Sequence, residues 1–182
     1  IWGFRCQSNW WILGWAGAIS IKINPLLFGP FLLLQNFSWN RILQLTFALV
    51  AVGLPFIYMF SAENILHFVE SLRLYYQTFE FNGSIYLIAR YIGYQINGYN
   101  SISTIGPILL IVAALTIGSL SILYYRFNDK RSIIRLAEFM SHAWLIYLLT
   151  SSIVHPWYLV LLVPLAIFSR LRYPLVWSYT VG

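Results

Sequence analysis

The chain has 182 residues, of which 60% are hydrophobic and only 9% are charged. Soluble domains contain roughly 45–50% apolar and about 25% charged residues, so this composition excludes an ordinary soluble domain. The formal charge of +6 does not indicate a nucleic-acid partner, because the basic residues are scattered between apolar runs instead of forming one stripe. We predict an all-α, polytopic transmembrane helical bundle with about six to seven membrane segments, some of them short.

The apolar runs that we assign to the membrane follow one another along most of the chain. They are Trp10 to Ile21, Leu26 to Leu34, Ile42 to Phe60, Ile102 to Tyr124, Phe139 to Val154 and Tyr158 to Phe168, with a seventh beginning after Arg172. The turn Lys22-Ile23-Asn24-Pro25 joins the first two runs, and the turn His155-Pro156-Trp157-Tyr158 joins the fifth and sixth. We expect each of these pairs to form a helical hairpin. We therefore expect one transmembrane domain, 1–182, with membrane helices over 10–60 and 101–182 and an outer interfacial loop over 61–100.

Orientation follows from the excess of Lys and Arg in cytoplasmic loops. Eight basic residues are then assigned to the cytoplasmic side, namely Arg5, Arg41, Arg126, Lys130, Arg131, Arg135, Arg170 and Arg172. Lys22, Arg73 and Arg90 then lie on the outer face, together with the long loop. We expect that loop to form one or two interfacial helices, with Ser61 as an N-cap and Asn82-Gly83 as the break between them.

Lys22 is the first candidate for a ligand-binding residue. An ionised amine in an otherwise apolar hairpin is costly and usually has a partner. With the helix that starts at Pro25, it would suit an anionic group such as a lipid-linked phosphate. The alternative is a lysine that snorkels to a headgroup without a specific ligand.

A second candidate is the segment Phe79-Glu80-Phe81-Asn82-Gly83-Ser84, which places a carboxylate and an amide between aromatic residues. Carboxylates and amides bind sugar hydroxyls, and aromatic rings pack against the apolar faces of sugars. The alternative is an interfacial turn in which Asn82 caps the next helix and Glu80 pairs with Arg90 or Arg73.

Two histidine-containing groups complete the candidates. His155 lies at the outer surface, where its imidazole could donate to a phosphate or act as an acid or base, or serve only the structure of the turn. Glu63, His67 and Glu70 share a helical face, which permits a divalent-cation site, but a single histidine is a weak indication and we assign no metal ligand. The sequence contains no phosphate loop and no dinucleotide fingerprint.

Three groups of residues resemble the membrane-embedded glycosyltransferases of the C-type fold, specifically the bacterial mannosyltransferase-like family that uses polyprenyl-phosphate sugars. The similarity extends from about Trp15 to Trp177. Its motifs are Lys22-Ile23-Asn24-Pro25, then Phe79-Glu80-Phe81-Asn82 with Ile85-Tyr86 and Arg90-Tyr91-Ile92-Gly93-Tyr94 behind it, and finally His155-Pro156-Trp157-Tyr158-Leu159 running to Pro164.

The resemblance implies a multi-pass enzyme of the bacterial inner membrane. Such an enzyme transfers a mannose-like hexose from a polyprenyl-phosphate donor to the hydroxyl of a glycan or glycolipid acceptor, and it contacts membrane lipid. No cofactor is implied with certainty, although a divalent cation is compatible with the reaction. The substrate-binding residues that we assign are Lys22, Glu80, Asn82, Arg90, His155, Trp157 and Tyr158.

In that family the catalytic acidic residue lies in the first outer loop, near the N-terminus. We therefore expect this chain to be the C-terminal part of a longer protein that carries the acidic residue upstream, and the catalytic residue stays unassigned. Three other functions stay open. They are a transporter or flippase for a lipid-linked saccharide, which needs polar residues across the bilayer midplane, an O-antigen ligase or polymerase, for which Arg73 and Arg90 are candidates, and a structural membrane subunit.

Overall fold

The computed structural model describes residues 10–35, 38–54, 61–77, 79–81, 83–127 and 132–181, and these ranges are almost entirely helical. The prediction of an all-α chain is therefore confirmed for them. The helices are α1 (Trp10–Ile21), α2 (Gly29–Gln35), α3 (Trp39–Gly53), α4 (Ala62–Gln77), α5 (Ser84–Asn97), α6 (Ile102–Phe127), α7 (Ile133–Thr150), α8 (Leu162–Phe168) and α9 (Tyr173–Val181). Short 3-10 helices, Asn24–Phe28 and Pro156–Leu161, lead into α2 and α8.

Within the described ranges, two helices are long and apolar enough to cross a membrane, α6 over Ile102–Arg126 and α7 over Ile133–Thr150. The apolar segments Trp10–Ile21, Asn24–Leu34 and Pro156–Phe168 are shorter. The two spans are fewer than the about six to seven membrane segments predicted. The Lys22 and His155 turns divide the apolar sequence into pieces below the about 20 residues that a full span needs. Positions 55–60 of the predicted segment Ile42 to Phe60 lie outside the described residues.

Helix ends follow local capping chemistry more closely than hydropathy. The predicted start of a helix at Phe139 is wrong, since α7 begins at Ile133, where the Ser132 hydroxyl accepts from the Arg135 amide at 3.3 Å. At α4 the predicted N-cap is confirmed, because the Ser61 hydroxyl accepts from the Asn64 amide at 3.2 Å. A serine oxygen satisfies an amide that has no partner within the helix.

The loop over 61–100, for which one or two helices were predicted, contains two, α4 and α5, with Gly83 immediately before α5. Gly98 ends α5 in a left-handed conformation, with φ of 75°, and its amide donates to the Tyr94 carbonyl at 2.9 Å. Glycine adopts this conformation without steric cost. The chain therefore reverses within a few residues and enters α6 at Ile102.

The main core lies between α6, α7, α8 and the chain around α2, where Phe28 and Phe31 pack against α6 and α7. Trp144 of α7 is 1% exposed, and its indole N–H donates to the Tyr158 carbonyl at 3.0 Å. Because Tyr158 belongs to the Pro156–Leu161 turn, this one side chain holds that turn against α7. A smaller cluster joins α1 to α3 through Ile12, Ala16 and Ala48.

Replacing Trp144 by Ala should lower the free energy of unfolding by about 3–5 kcal/mol, the usual cost of removing a fully buried large aromatic side chain. The measurement is the thermal unfolding midpoint of the purified protein in detergent. Leu115→Ala is the matched control, since Leu115 on α6 is 68% exposed and should shift the midpoint little. Equal shifts for the two variants would contradict this description of the core.

Candidate functional site

Lys22 and Tyr158 bring the two hairpin turns together. The Lys22 ammonium lies 4.5 Å from the centroid of the Tyr158 ring, which is a cation–π contact. Lys22 is exposed, and no salt bridge to it occurs within the ranges that the structure describes. The amine is therefore positioned by an aromatic ring, with its charge not neutralised by a described carboxylate.

The His155 imidazole packs against three aromatic rings. Its centroid is 4.2 Å from that of Trp157 at an interplanar angle of 11°, and 4.9 Å from that of Phe81 at 30°. Tyr158 meets it edge-on at 5.4 Å. Trp157 is 60% exposed, so one member of this aromatic group presents a large ring surface to its surroundings.

Phe81 belongs to a different part of the chain and is held there by the backbone. Its N–H donates to the Ser152 carbonyl at 3.0 Å, and its carbonyl accepts from the Val154 amide at 2.7 Å. These two bonds form an isolated parallel bridge between Phe81 and Ile153. The outer loop is thereby fixed beside the segment that leads from α7 to His155.

The neighbouring residue, Glu80, is the centre of a hydrogen-bond network. Its Oε1 accepts from the Tyr86 hydroxyl at 2.7 Å and from the Asn100 amide, and its Oε2 accepts from the Arg90 guanidinium in a salt bridge. The Glu80 side chain is 17% exposed, whereas that of Arg90 is 42% exposed. The carboxylate is therefore enclosed by its donors, while the arginine stays open on one side.

These contacts set the protonation of the pair Glu80 and Tyr86. Burial alone would raise the pKa of Glu80, but the hydrogen bonds from Asn100, Tyr86 and Arg90 together hold that pKa below its ordinary value. Burial, followed by the hydrogen bond to Glu80, raises the pKa of Tyr86 well above its ordinary value. At neutral pH Glu80 is thus an anion and Tyr86 a neutral donor.

The structure brings together most of the residues predicted from sequence. A continuous series of contacts runs from Lys22 through Tyr158, His155 and Phe81 to the Glu80–Arg90 pair. Of the two alternative partners predicted for Glu80, Arg90 and Arg73, the pairing with Arg90 is confirmed. Asn82 lies outside the described residues, and Gly83 takes the N-cap position of α5 without a side-chain bond.

The acidic face of α4 lies apart from this series of contacts. His67 has ring nitrogens 4.0 Å from a Glu63 oxygen and 3.7 Å from a Glu70 oxygen, and all three side chains are at least 68% exposed. Across the described ranges, no three or more His, Cys, Asp or Glu side chains are grouped in a way that could hold a metal ion.

Two participants in the site were not singled out as site residues from the sequence. Tyr86 entered only as part of a motif, although it is fully buried and donates to Glu80. Asn100 also accepts from the Ile102 amide at 3.2 Å, so it contacts the start of α6 and binds Glu80 at once. Polar residues just before a strong apolar helix mark where the helix starts, but they do not reveal a distant partner.

Comparison with protein-family models, with curated proteins and with solved structures finds no significant match to this chain.

Replacing Gly83 by Ala should release the outer loop, because the new Cβ would lie 2.9 Å from the Ser151 carbonyl oxygen and 3.1 Å from that of Ser152. Both are backbone atoms and cannot rotate away, so we expect a loss of about 1–3 kcal/mol. Thermal unfolding and protease sensitivity of the loop are the measurements. Gly118→Ala is the control, since nothing lies within 4 Å of its added Cβ. Equal resistance of the loop to protease in both variants would refute the tight contact between Gly83 and the Ser151 and Ser152 carbonyls.

Replacing Glu80 by Gln should destabilise the protein at pH 7 by about 1–2 kcal/mol, since the salt bridge is lost but Arg90 keeps contact with water. The folded-state pKa of Glu80 is depressed, so its contribution is complete above 4.5, its ordinary value, and is lost as the pH falls through the lower folded value. The difference in unfolding midpoint between wild type and variant should therefore shrink below pH 4.5.

The control for that experiment is Glu63→Gln, because the Glu63 side chain is 85% exposed and its ion-pair contact, with His67, is long at 4.0 Å. The contrary result is a difference in unfolding midpoint between wild type and Glu80→Gln that stays constant from neutral pH to well below 4.5. That result would show that the Glu80 carboxylate does not contribute pH-dependent stability.

Proposed function

We propose that this chain is part of a multi-pass membrane glycosyltransferase of the bacterial inner membrane. It would move a mannose-like hexose from a polyprenyl-phosphate donor to an acceptor hydroxyl at the outer face. The observation that carries the proposal is the series of contacts from Lys22 to the Glu80–Arg90 pair, which joins three distant segments. The two apolar helices α6 and α7 support the membrane setting.

Both ends of α6 and α7 are consistent with the proposed orientation. The candidate site lies where α6 begins and α7 ends, as shown by Asn100 and by the bridge to Ile153. At the opposite end a cleft of ≈ 220 Å³ is lined by Arg135, Arg170 and one acidic residue, Glu138. Basic residues at one end and the candidate site at the other match the excess of positive charge expected in cytoplasmic loops.

The reaction explains why a cation belongs in this site. The acceptor oxygen bonds to C1 of the sugar while the bond from C1 to the phosphate oxygen breaks, and the leaving polyprenyl phosphate gains one negative charge. A fixed ammonium stabilises charge that develops in the transition state. Lys22 is the described cation suited to this role, since its amine has no carboxylate partner among the described salt bridges.

The aromatic group would hold the transferred sugar. The exposed Trp157 ring offers an apolar surface for the C–H face of a pyranose, and His155 supplies polar nitrogens beside it. Glu80 is bound by three donors and has a depressed pKa, so it is poorly suited to accept a proton from the acceptor. We assign that step to the upstream acidic residue implied by the resemblance.

A transporter is less well supported. In α6 and α7, the polar side chains near the middle of the helices donate to their own helix backbone, as Thr116, Ser121 and Ser141 do at 2.7 Å. Bonds of this kind leave few polar groups along the described middle of these helices to line a path for a saccharide. The O-antigen ligase alternative would require Arg73 as well as Arg90. Replacing Arg73 therefore distinguishes the ligase from the transferase.

Replacing Lys22 by Ala in the full-length protein should reduce kcat/KM for polyprenyl-phosphate mannose by about 10²–10³-fold, the usual effect of losing one transition-state donor. Lys22→Arg should restore part of the activity. The assay follows release of polyprenyl phosphate from radiolabelled donor in native membranes, with polyprenyl-phosphate glucose as a second donor.

Arg73→Ala is the matched control, because it removes one positive charge from the same face and should leave turnover unchanged. Unchanged turnover in Lys22→Ala would refute the proposed role of the lysine. Loss of turnover in Arg73→Ala would favour the ligase, in which both loop arginines act.

A further inference from the structure

A cleft lies on the open side of Arg90 and shares Arg90 and Asn100 with the site described above. It has a volume of ≈ 450 Å³, within the range typical of small-molecule sites. Its lining consists of Arg90, Tyr91, Tyr94, Gln95 and Asn100. All but Asn100 lie on α5, and Asn100 returns to them through the turn at Gly98.

The lining is chemically suited to an uncharged, hydroxyl-rich ligand. Tyr91 and Tyr94 are 66% and 55% exposed, and Gln95 lies one turn after Tyr91 on the same helical face. Gln95 and Asn100 carry amides that both donate and accept, as sugar hydroxyls do. Aromatic rings beside planar amides can bind the apolar face and the hydroxyl edge of a pyranose together.

Charge argues against an anionic occupant. Arg90 is the one charged residue of the cleft lining, and Glu80 neutralises it in a salt bridge. A phosphate in the cleft would therefore meet no net positive charge from this lining, in contrast to the Lys22 ammonium, which has no carboxylate partner among the described salt bridges.

Two residues of the cleft lining are held in place by hydrogen bonds. Arg90 and Asn100 are both bonded to Glu80, and Asn100 is further fixed by the Ile102 amide. Side chains that are already fixed lose less conformational entropy when a ligand binds, so binding costs less free energy. Through Glu80, the cleft adjoins Phe81 and hence the aromatic group around His155.

We infer that this cleft is a saccharide-binding subsite and that it holds the sugar of the acceptor glycan or glycolipid. The acceptor role rests on the proposed transferase function, whereas saccharide binding does not. The donor phosphate lies at Lys22, the transferred hexose lies against Trp157, and the acceptor enters from the Tyr91 side. Glu80 positions both neighbours and takes no proton.

The test uses the full-length protein in nanodiscs of zwitterionic lipid, with methyl α-mannopyranoside and a methyl α-mannobioside as probes. Saturation-transfer NMR titrations give their affinities, and a separate binding titration with radiolabelled polyprenyl-phosphate mannose gives donor affinity. Tyr91→Ala and Gln95→Ala should each weaken saccharide binding at least about tenfold, with donor affinity unchanged. Because these side chains are exposed, neither variant should lower the unfolding midpoint.

Tyr99→Ala is the matched control, since Tyr99 is 64% exposed on the same loop but does not line the cleft. Equal losses in Tyr91→Ala and Tyr99→Ala would overturn the inference, because they would mark the tyrosines as membrane anchors. Unchanged saccharide affinity in both cleft variants would also overturn it, as would saccharide binding abolished by phosphatidylglycerol in the nanodisc. Saccharide binding that depends on the cleft while the donor does not bind would uphold the subsite and refute the transferase.

Discussion

The two backbone hydrogen bonds of Phe81 are the constraint on which the candidate site depends. They join the outer loop to the segment between α7 and His155, and no other described β-type contact does so. Gly83 permits this approach, because any Cβ there would meet the carbonyls of Ser151 and Ser152. Without the bridge, Phe81 would lose the backbone hydrogen bonds that fix its ring beside His155.

The bridge separates two electrostatic environments that lie side by side. On one side, the Glu80 carboxylate is fully engaged and neutralises Arg90, which favours uncharged polar ligands. On the other side, the Lys22 ammonium rests on the Tyr158 ring without a described carboxylate. An aromatic group lies between them. A donor that carries both a phosphate and a sugar, next to an acceptor that carries only hydroxyls, fits this sequence of environments.

Much of the helical pattern could be predicted from the sequence. The first predicted segment coincides with α1, and the α6 prediction differs from the structure only at its end, because unbroken apolar runs leave no ambiguity. The start of α7 was missed, since Arg135 and Glu138 in its first turns lower the hydropathy although they fit a capped helix end. Ser61 was placed correctly because N-capping depends on local sequence alone.

The site residues were predictable one by one, but their arrangement was not. Charged and aromatic residues in apolar turns are recognisable as costly, which identified Lys22, Glu80 and His155. Their contacts depend on a pairing between positions 81 and 153, and long-range pairing leaves no trace in local composition. The Asn100 bond to Glu80 was missed for the same reason. Burial of Tyr86 likewise depends on packing between helices.

The most direct test of this account is the sidedness of single cysteines, introduced after Cys6→Ser, towards a membrane-impermeant maleimide in sealed cells. Cysteines at Ile23, Tyr99 and Trp157 represent the three parts of the site, and one at Arg172 represents the opposite end. The account predicts that the first three react from outside, whereas the cysteine at position 172 reacts only after permeabilisation. Reaction of any of the three from the same side as position 172 would contradict a site assembled on one membrane face.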